Sequence, residues 1–167
     1  MVQQTLIIIK PDGVVGGFTE EIIKRYDAVG LKVVKRKDIT APMDIVEKHY
    51  SMDPAFLKAI GEKTIAAGQA VASAEDQGRK VVGWLRDFIT SGPVVVMVLE
   101  GEDAVLTARK TTGFTDPSTA DKGTIRGDLG TDSILKANVE ERPVYNLLHA
   151  SGNPEEDANE IQLWFPE

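Results

Sequence analysis

The chain has 167 residues, 42% hydrophobic and 27% charged, a balance that fits one soluble globular domain over 1–167 with enough apolar material for its own core. Its formal charge of −7 argues against nonspecific binding to nucleic acid or an anionic membrane, and the absence of cysteine excludes disulfides, thiol nucleophiles and thiolate metal sites. No secretory signal is visible and no apolar run is long enough to span a bilayer, so a cytoplasmic protein is expected.

The first element is TLIII (5–9), a β-branched run that reads as a buried strand. KPDGVVGG loops from it to Thr19, where a helix starts. Glu20 and Glu21 suit the first turn, Ile22, Ile23 and Tyr26 form an apolar face, and Gly30 suits the C-cap. LKVVKRKDI (31–39) is a second strand. Residues 43–90 read as helical, broken into short pieces by Pro54, Gly61, Gly68 and Gly78. The most amphipathic piece is 78–89, with Val81, Trp84, Leu85 and Phe88 on one side. TSGP then delivers the chain into the buried strand VVVMVLEG, and a helix from about Asp103 to Lys110 follows. The Gly/Thr/Asp/Pro-rich stretch 111–134 is a long loop, and a loop of that length inside a compact domain usually carries function. VYNLLHAS is the last strand, and Asn153 caps a final helix with Pro154 at its first position and Glu155, Glu156 and Asp157 in its first turn. This order matches a ferredoxin-like βαββαβ sandwich, an α+β fold whose antiparallel sheet carries helices on one face, plus extra helices.

The chain has only two histidines. His149 ends an apolar run, a place where many histidines simply bond the backbone and do no chemistry. Two features open another reading: Ala150, Ser151 and Gly152 leave room beside the ring, and Glu160, on the next helix, can return to orient it. An oriented neutral imidazole is a competent nucleophile near pH 7. His49, beside Tyr50, reads as lying on a solvated helix face, and the two histidines show no metal-ligand spacing. Lys10, at a strand end, suits either a surface position or a phosphate contact. Arg109, Thr112, Thr115, Thr124 and Arg126 gather in and beside the long loop, where guanidinium forks and hydroxyls are suited to phosphate oxygens, or equally to a solvated polar surface. No G-x-x-x-x-G-K-[ST], G-x-G-x-x-G or protein-kinase catalytic-loop pattern is present.

Taken in order, IKPDGV, HY, SGPVVVMVLEG, GTIRGD, NLLHAS and EIQLWF resemble the nucleoside diphosphate kinase family over essentially the whole chain. The resemblance implies a ping-pong kinase. The γ-phosphoryl of a nucleoside triphosphate passes to His149 as a phosphohistidine and then to a second nucleoside diphosphate. By the same matching, Lys10 and Arg126 steady the transferring phosphoryl, with Tyr50 close to the histidine. Arg109 and Thr115 hold the diphosphate, Asn146 bonds the sugar hydroxyl and Lys10, and Ser151 with Glu160 fixes the imidazole. Mg²⁺ is expected on the nucleotide phosphates with no protein metal site, nucleoside di- and triphosphates are the expected partners, and a homo-oligomer is the expected assembly. A ferredoxin-like RNA-binding module fits poorly, because the chain is acidic and its candidate strands lack paired aromatics. Gly152 stands where the family has an aspartate, and Val81 falls where it has an aromatic against the base. The stretches before SGP and between Arg126 and Asn146 are longer than in compact members. The first of these predicts a helical insertion over 51–80.

Overall fold

A computed structural model describes residues 1–167. The elements in chain order are β1 (Val2–Ile9), α1 (Pro11–Val15), α2 (Thr19–Ala28), β2 (Lys32–Thr40), α3 (Met43–His49), α4 (Pro54–Ala66), α5 (Ala74–Thr90), β3 (Pro93–Glu102), α6 (Ala104–Thr112), α7 (Ile125–Leu129), α8 (Ile134–Val139), β4 (Leu148–Ala150) and α9 (Pro154–Trp164). The sheet order is β2-β3-β1-β4 and every pairing is antiparallel, as a ferredoxin-like fold requires.

The central strands β1 and β3 are near-continuous apolar runs because both of their faces are covered. Leu6 and Ile8 of β1 join Val94, Val96 and Val98 of β3 in a cluster with Val46, Leu85 and Trp164 from α3, α5 and α9. The alternate residues Ile7, Ile9, Val95, Met97 and Leu99 pack against Ile22 and Tyr26 of α2 and Ala104 and Ala108 of α6. The expected α+β sheet therefore holds, but the helices cover both faces and not one. The unbroken burial of TLIII and VVVMVL is the local sign of it.

Three further differences have local causes. Gly61 and Gly78 do not break helices; they lie inside α4 and α5. An added Cβ at Gly61 would stand 1.7 Å from the Ala74 carbonyl oxygen, and one at Gly78 1.7 Å from that of Leu57, so these glycines let two helix backbones touch. The predicted loop 111–134 contains α7, started by Thr124, whose side chain accepts the Gly127 N–H. The predicted strand VYNLLHAS shrinks to three residues because Leu147 is left-handed (φ 75°), which breaks the extended chain just before β4. Asn153 caps α9 as expected, accepting from the N–H groups of Glu155 and Glu156.

Candidate active site

His149 sits in β4, directly paired with Ile8 of β1, so its side chain shares the sheet face that α3 and α9 cover. From α9, Glu160 reaches back and its Oε2 lies 3.0 Å from His149 Nε2. The hydroxyl of the fully buried Ser151 donates to the same carboxylate oxygen. Burial alone would raise the Glu160 pKa, but the charge and hydrogen bond of His149, the neighbouring His49 and the Ser151 hydroxyl outweigh it and hold the carboxyl at about 2. A carboxylate there fixes the proton of the neutral ring on Nε2, leaving the lone pair of Nδ1 available.

His49 is not on a solvated helix face. It is buried, its Nδ1 accepts the Trp164 indole N–H at 3.1 Å, and its ring meets that of His149 edge-on with centroids 4.5 Å apart. Burial, and then the charge of His149, pull its pKa down to about 3, so it stays neutral and forms a wall behind the other imidazole. Nothing in the local pattern of HY distinguishes this from an exposed pair; the contact is made by α9 from 115 residues away.

The cations gather on the open side. Lys10, at the end of β1, donates to Asn146 Oδ1 at 3.0 Å, and Asn146 donates in turn to the Thr115 carbonyl at 3.0 Å. Arg126 is buried, yet it pairs with no carboxylate. Its guanidinium donates to the backbone carbonyls of Asn146 (3.1 Å), Gly113 (3.2 Å) and Leu148 (2.6 Å), which ties the long loop to both ends of the strained Leu147. Leu147 is held by its N–H to Asp12 Oδ2 and by its carbonyl to the Lys10 N–H, both at 2.9 Å. Burial, then the charge of Arg126, lower the Lys10 pKa to about 8, and burial lowers that of Arg126 to about 10. Such buried cations, neither in an ion pair, are costly for a fold and suit an anionic ligand.

These groups line a cleft of ≈ 520 Å³, a size suited to a small-molecule ligand. Lys10, Tyr50, Arg109, Thr115, Arg126, Asn146, His149 and Glu160 all face it, while Ser151 lies behind and acts through Glu160. Tyr50 is buried with its ring 6.5 Å from that of His149, and Arg86 clamps its carbonyl at 2.7 and 2.9 Å. Val81 lines the apolar end, as do Phe56 and Ile60 of α4, so the segment 51–80 brings an aromatic to the cleft that Val81 does not supply. At Gly152 the Glu156 carboxylate folds back to accept the Gly152 N–H at 3.1 Å, occupying the space a side chain at 152 would take. Phe56, Lys63 and Glu156 face the cleft without having been marked by sequence motifs. The two histidines, although far apart in sequence, do meet around Glu160, with ligand atoms of all three residues within 4.8 Å. That nitrogen-rich set does not fit Mg²⁺, which takes oxygen ligands and is commonly bound through substrate phosphates.

The family model for nucleoside diphosphate kinase matches residues 3–167. A nucleoside diphosphate kinase of Pyrobaculum aerophilum is 42% identical, the match covering 99% of this chain and 96% of that protein. Among solved structures, an NDP kinase from Pyrobaculum aerophilum superposes with a TM-score of 0.93 at 40% identity, over 100% of this chain and 97% of that one. A transition-state mimic of the Borrelia burgdorferi nucleoside-diphosphate kinase, with bound vanadate and ADP, superposes with a TM-score of 0.81 at 32% identity, over 99% and 88% of the two chains.

Proposed function

Because the chain belongs to the nucleoside diphosphate kinase family and is a phosphotransferase of that class, we propose that it works by a ping-pong mechanism through a phosphohistidine on His149. In the first half-reaction the Nδ1 lone pair of His149 attacks the γ-phosphorus of a nucleoside triphosphate. An N–P bond forms, the bond from the γ-phosphorus to the bridging oxygen breaks, and the diphosphate leaves with that electron pair. In the second half-reaction a terminal oxygen of another nucleoside diphosphate attacks the same phosphorus and the N–P electrons return to Nδ1. Atoms and charge balance across the cycle, and no proton need leave the ring.

The observation that carries this reading is the commitment of His149 Nε2 to Glu160 beside a cleft lined by unpaired cations. The carboxylate selects the attacking nitrogen and offsets the positive charge that grows on the ring as it is phosphorylated. Lys10 and Arg126 neutralise the oxygens of the transferring group, Arg109 and Thr115 hold the diphosphate, Asn146 bonds the sugar hydroxyl while holding Lys10, and Tyr50 walls the histidine. Positioning and charge neutralisation are most of what phosphoryl transfer asks of a protein. Vanadate with ADP in the Borrelia burgdorferi relative is consistent with that geometry. Mg²⁺ acts as the counter-ion of the nucleotide phosphates. On the same reading the chain is one domain with 51–80 as an insertion, and it is a cytoplasmic homo-oligomer. No helix is long and apolar enough to cross a membrane, and the exposed edge strand β2 leaves Val33 and Val34 open for a second copy.

The test is a short incubation with γ-labelled ATP and Mg²⁺. An acid-labile, base-stable label is expected on the protein, and it disappears in His149→Ala together with exchange activity, while the circular dichroism spectrum stays unchanged. Appreciable exchange by purified His149→Ala removes this histidine from the mechanism.

A further inference from the structure

Helix α4 presents Phe56, Ile60 and Lys63 at i, i+4 and i+7, one continuous face, and all three line the cleft. The first two are apolar and belong to its greasy end. Lys63, in the last turn, faces the polar end. On another face of the same helix Lys58 lies 4.0 Å from Glu62 in an ordinary exposed i,i+4 pair. Lys63 differs: it forms no ion pair, and it lines the same cleft as Arg109, Arg126 and Glu156. Its charge is felt in turn by Lys10. It stays open to solvent, so it is reachable by a ligand. Desolvation by the cleft walls and these like charges lower its pKa. With Lys10, Arg109 and Arg126 on the same cleft wall and Glu156 the nearby acid, a lysine that forms no ion pair is stabilised most simply by an anion that the four cations share.

We propose that Lys63, carried by the segment 51–80, is a further positioning residue that binds the phosphates of the nucleotide together with Arg109 and Arg126. This rests on the nucleotide-exchange reading above, but its test does not depend on turnover. The consequence for the fold is that α4 brings both an apolar face and a cation to one ligand, so base and phosphates are met by the same helix.

ADP and adenosine affinities measured by calorimetry at low salt separate the possibilities. Lys63→Ala is expected to weaken ADP binding about tenfold and leave adenosine binding unchanged, with a shallower salt dependence for ADP. Lys63→Arg restores ADP affinity to within about twofold, and Lys58→Ala changes neither ligand. In exchange assays Lys63→Ala raises KM about tenfold with kcat within about twofold, and the His149 label still forms. Unchanged ADP affinity in Lys63→Ala overturns the proposal, and so does an equal loss of adenosine and ADP affinity, which marks a structural role in α4. Failure of the wild-type chain to label His149 strikes the phosphohistidine reading instead, and the ADP measurement still decides the role of Lys63.

Discussion

Lys10 illustrates how one residue's chemistry follows from where a strand ends. Its ammonium is buried beside Arg126, and its pKa falls from 10.5 to about 8. Because the folded value lies below the unfolded one, the charge is a cost to the fold at pH below about 8, relieved as pH rises from about 8 to 10.5. Activity runs the other way, since phosphate needs the charged form. We expect kcat/KM, which reports the free enzyme, to fall above about pH 8, whereas kcat holds to higher pH because bound phosphate favours the ammonium. Lys10→Arg should push the alkaline limb upward even if its absolute rate is lower. A flat profile to pH 10 in the wild-type chain would mean either that the Lys10 ammonium is not lowered to about 8 or that its charge is not required. Glu160 has the opposite sign. Its pKa is depressed from 4.5 to about 2, so its contribution to stability is complete above the unfolded value and is lost as pH falls between those two values. At this scale much of the site was legible in the sequence: the motifs name Lys10, Arg126, Asn146, His149 and Glu160. His49, Lys63 and Glu156 were not: the contact that holds His49 comes from α9, 115 residues away, and no motif marks Lys63 or Glu156.

The pairing of α4 with α5 is the element on which the apolar end of the cleft depends. Each helix contributes one glycine at the crossing, and the partner backbone lies where a methyl group would go. Gly78→Ala should therefore cost about 1–3 kcal/mol in denaturant unfolding, as overpacking against a backbone does. It should also raise the nucleotide KM, since α4 must move and carries Phe56, Ile60 and Lys63 with it. Gly83 is the control: it lies in the same helix α5, with nothing within 4 Å of an added Cβ. Gly83→Ala is expected to stabilise by about 0.5–1 kcal/mol, the ordinary gain of alanine over glycine in a helix. Equal effects at the two positions would mean that the helices do not touch here. Sequence reading takes both glycines as punctuation because isolated glycine weakens helix propensity; propensity is local, and a close crossing of two backbones is not. The same reason explains the helices on both sheet faces. Periodicity identified the helices, but only unbroken apolar strands hint at which side each covers.

At the scale of the whole molecule, the cleft draws on nearly every part of the chain. It is walled by the end of β1, by α3, α4, α5 and α6, by the loop that follows α6, by α7 and α8, and by β4 and α9. The α4–α5 pair is tied to this frame by the buried amide of Asn138, which donates to Thr64 of α4 and accepts from Gln77 of α5. A ligand held by so many elements binds only the folded chain, so its binding energy becomes folding energy. At a free concentration of 100 times its Kd, Mg·ADP should add about 2.7 kcal/mol, which for a domain of this size corresponds to a rise in Tm of about 5–11 °C. The rise should shrink with added salt, because it comes from a few cations in a molecule of net charge −7, where the attraction is confined to the cleft. Arg126→Ala should lose most of it. That variant also starts lower, since three backbone carbonyls of the loop and the β4 segment lose their donor. The discriminating measurement is thus the ligand-induced increment in each protein and not the Tm itself. A full increment in Arg126→Ala would mean that this guanidinium only braces the loop, leaving the phosphates to Lys10, Lys63 and Arg109.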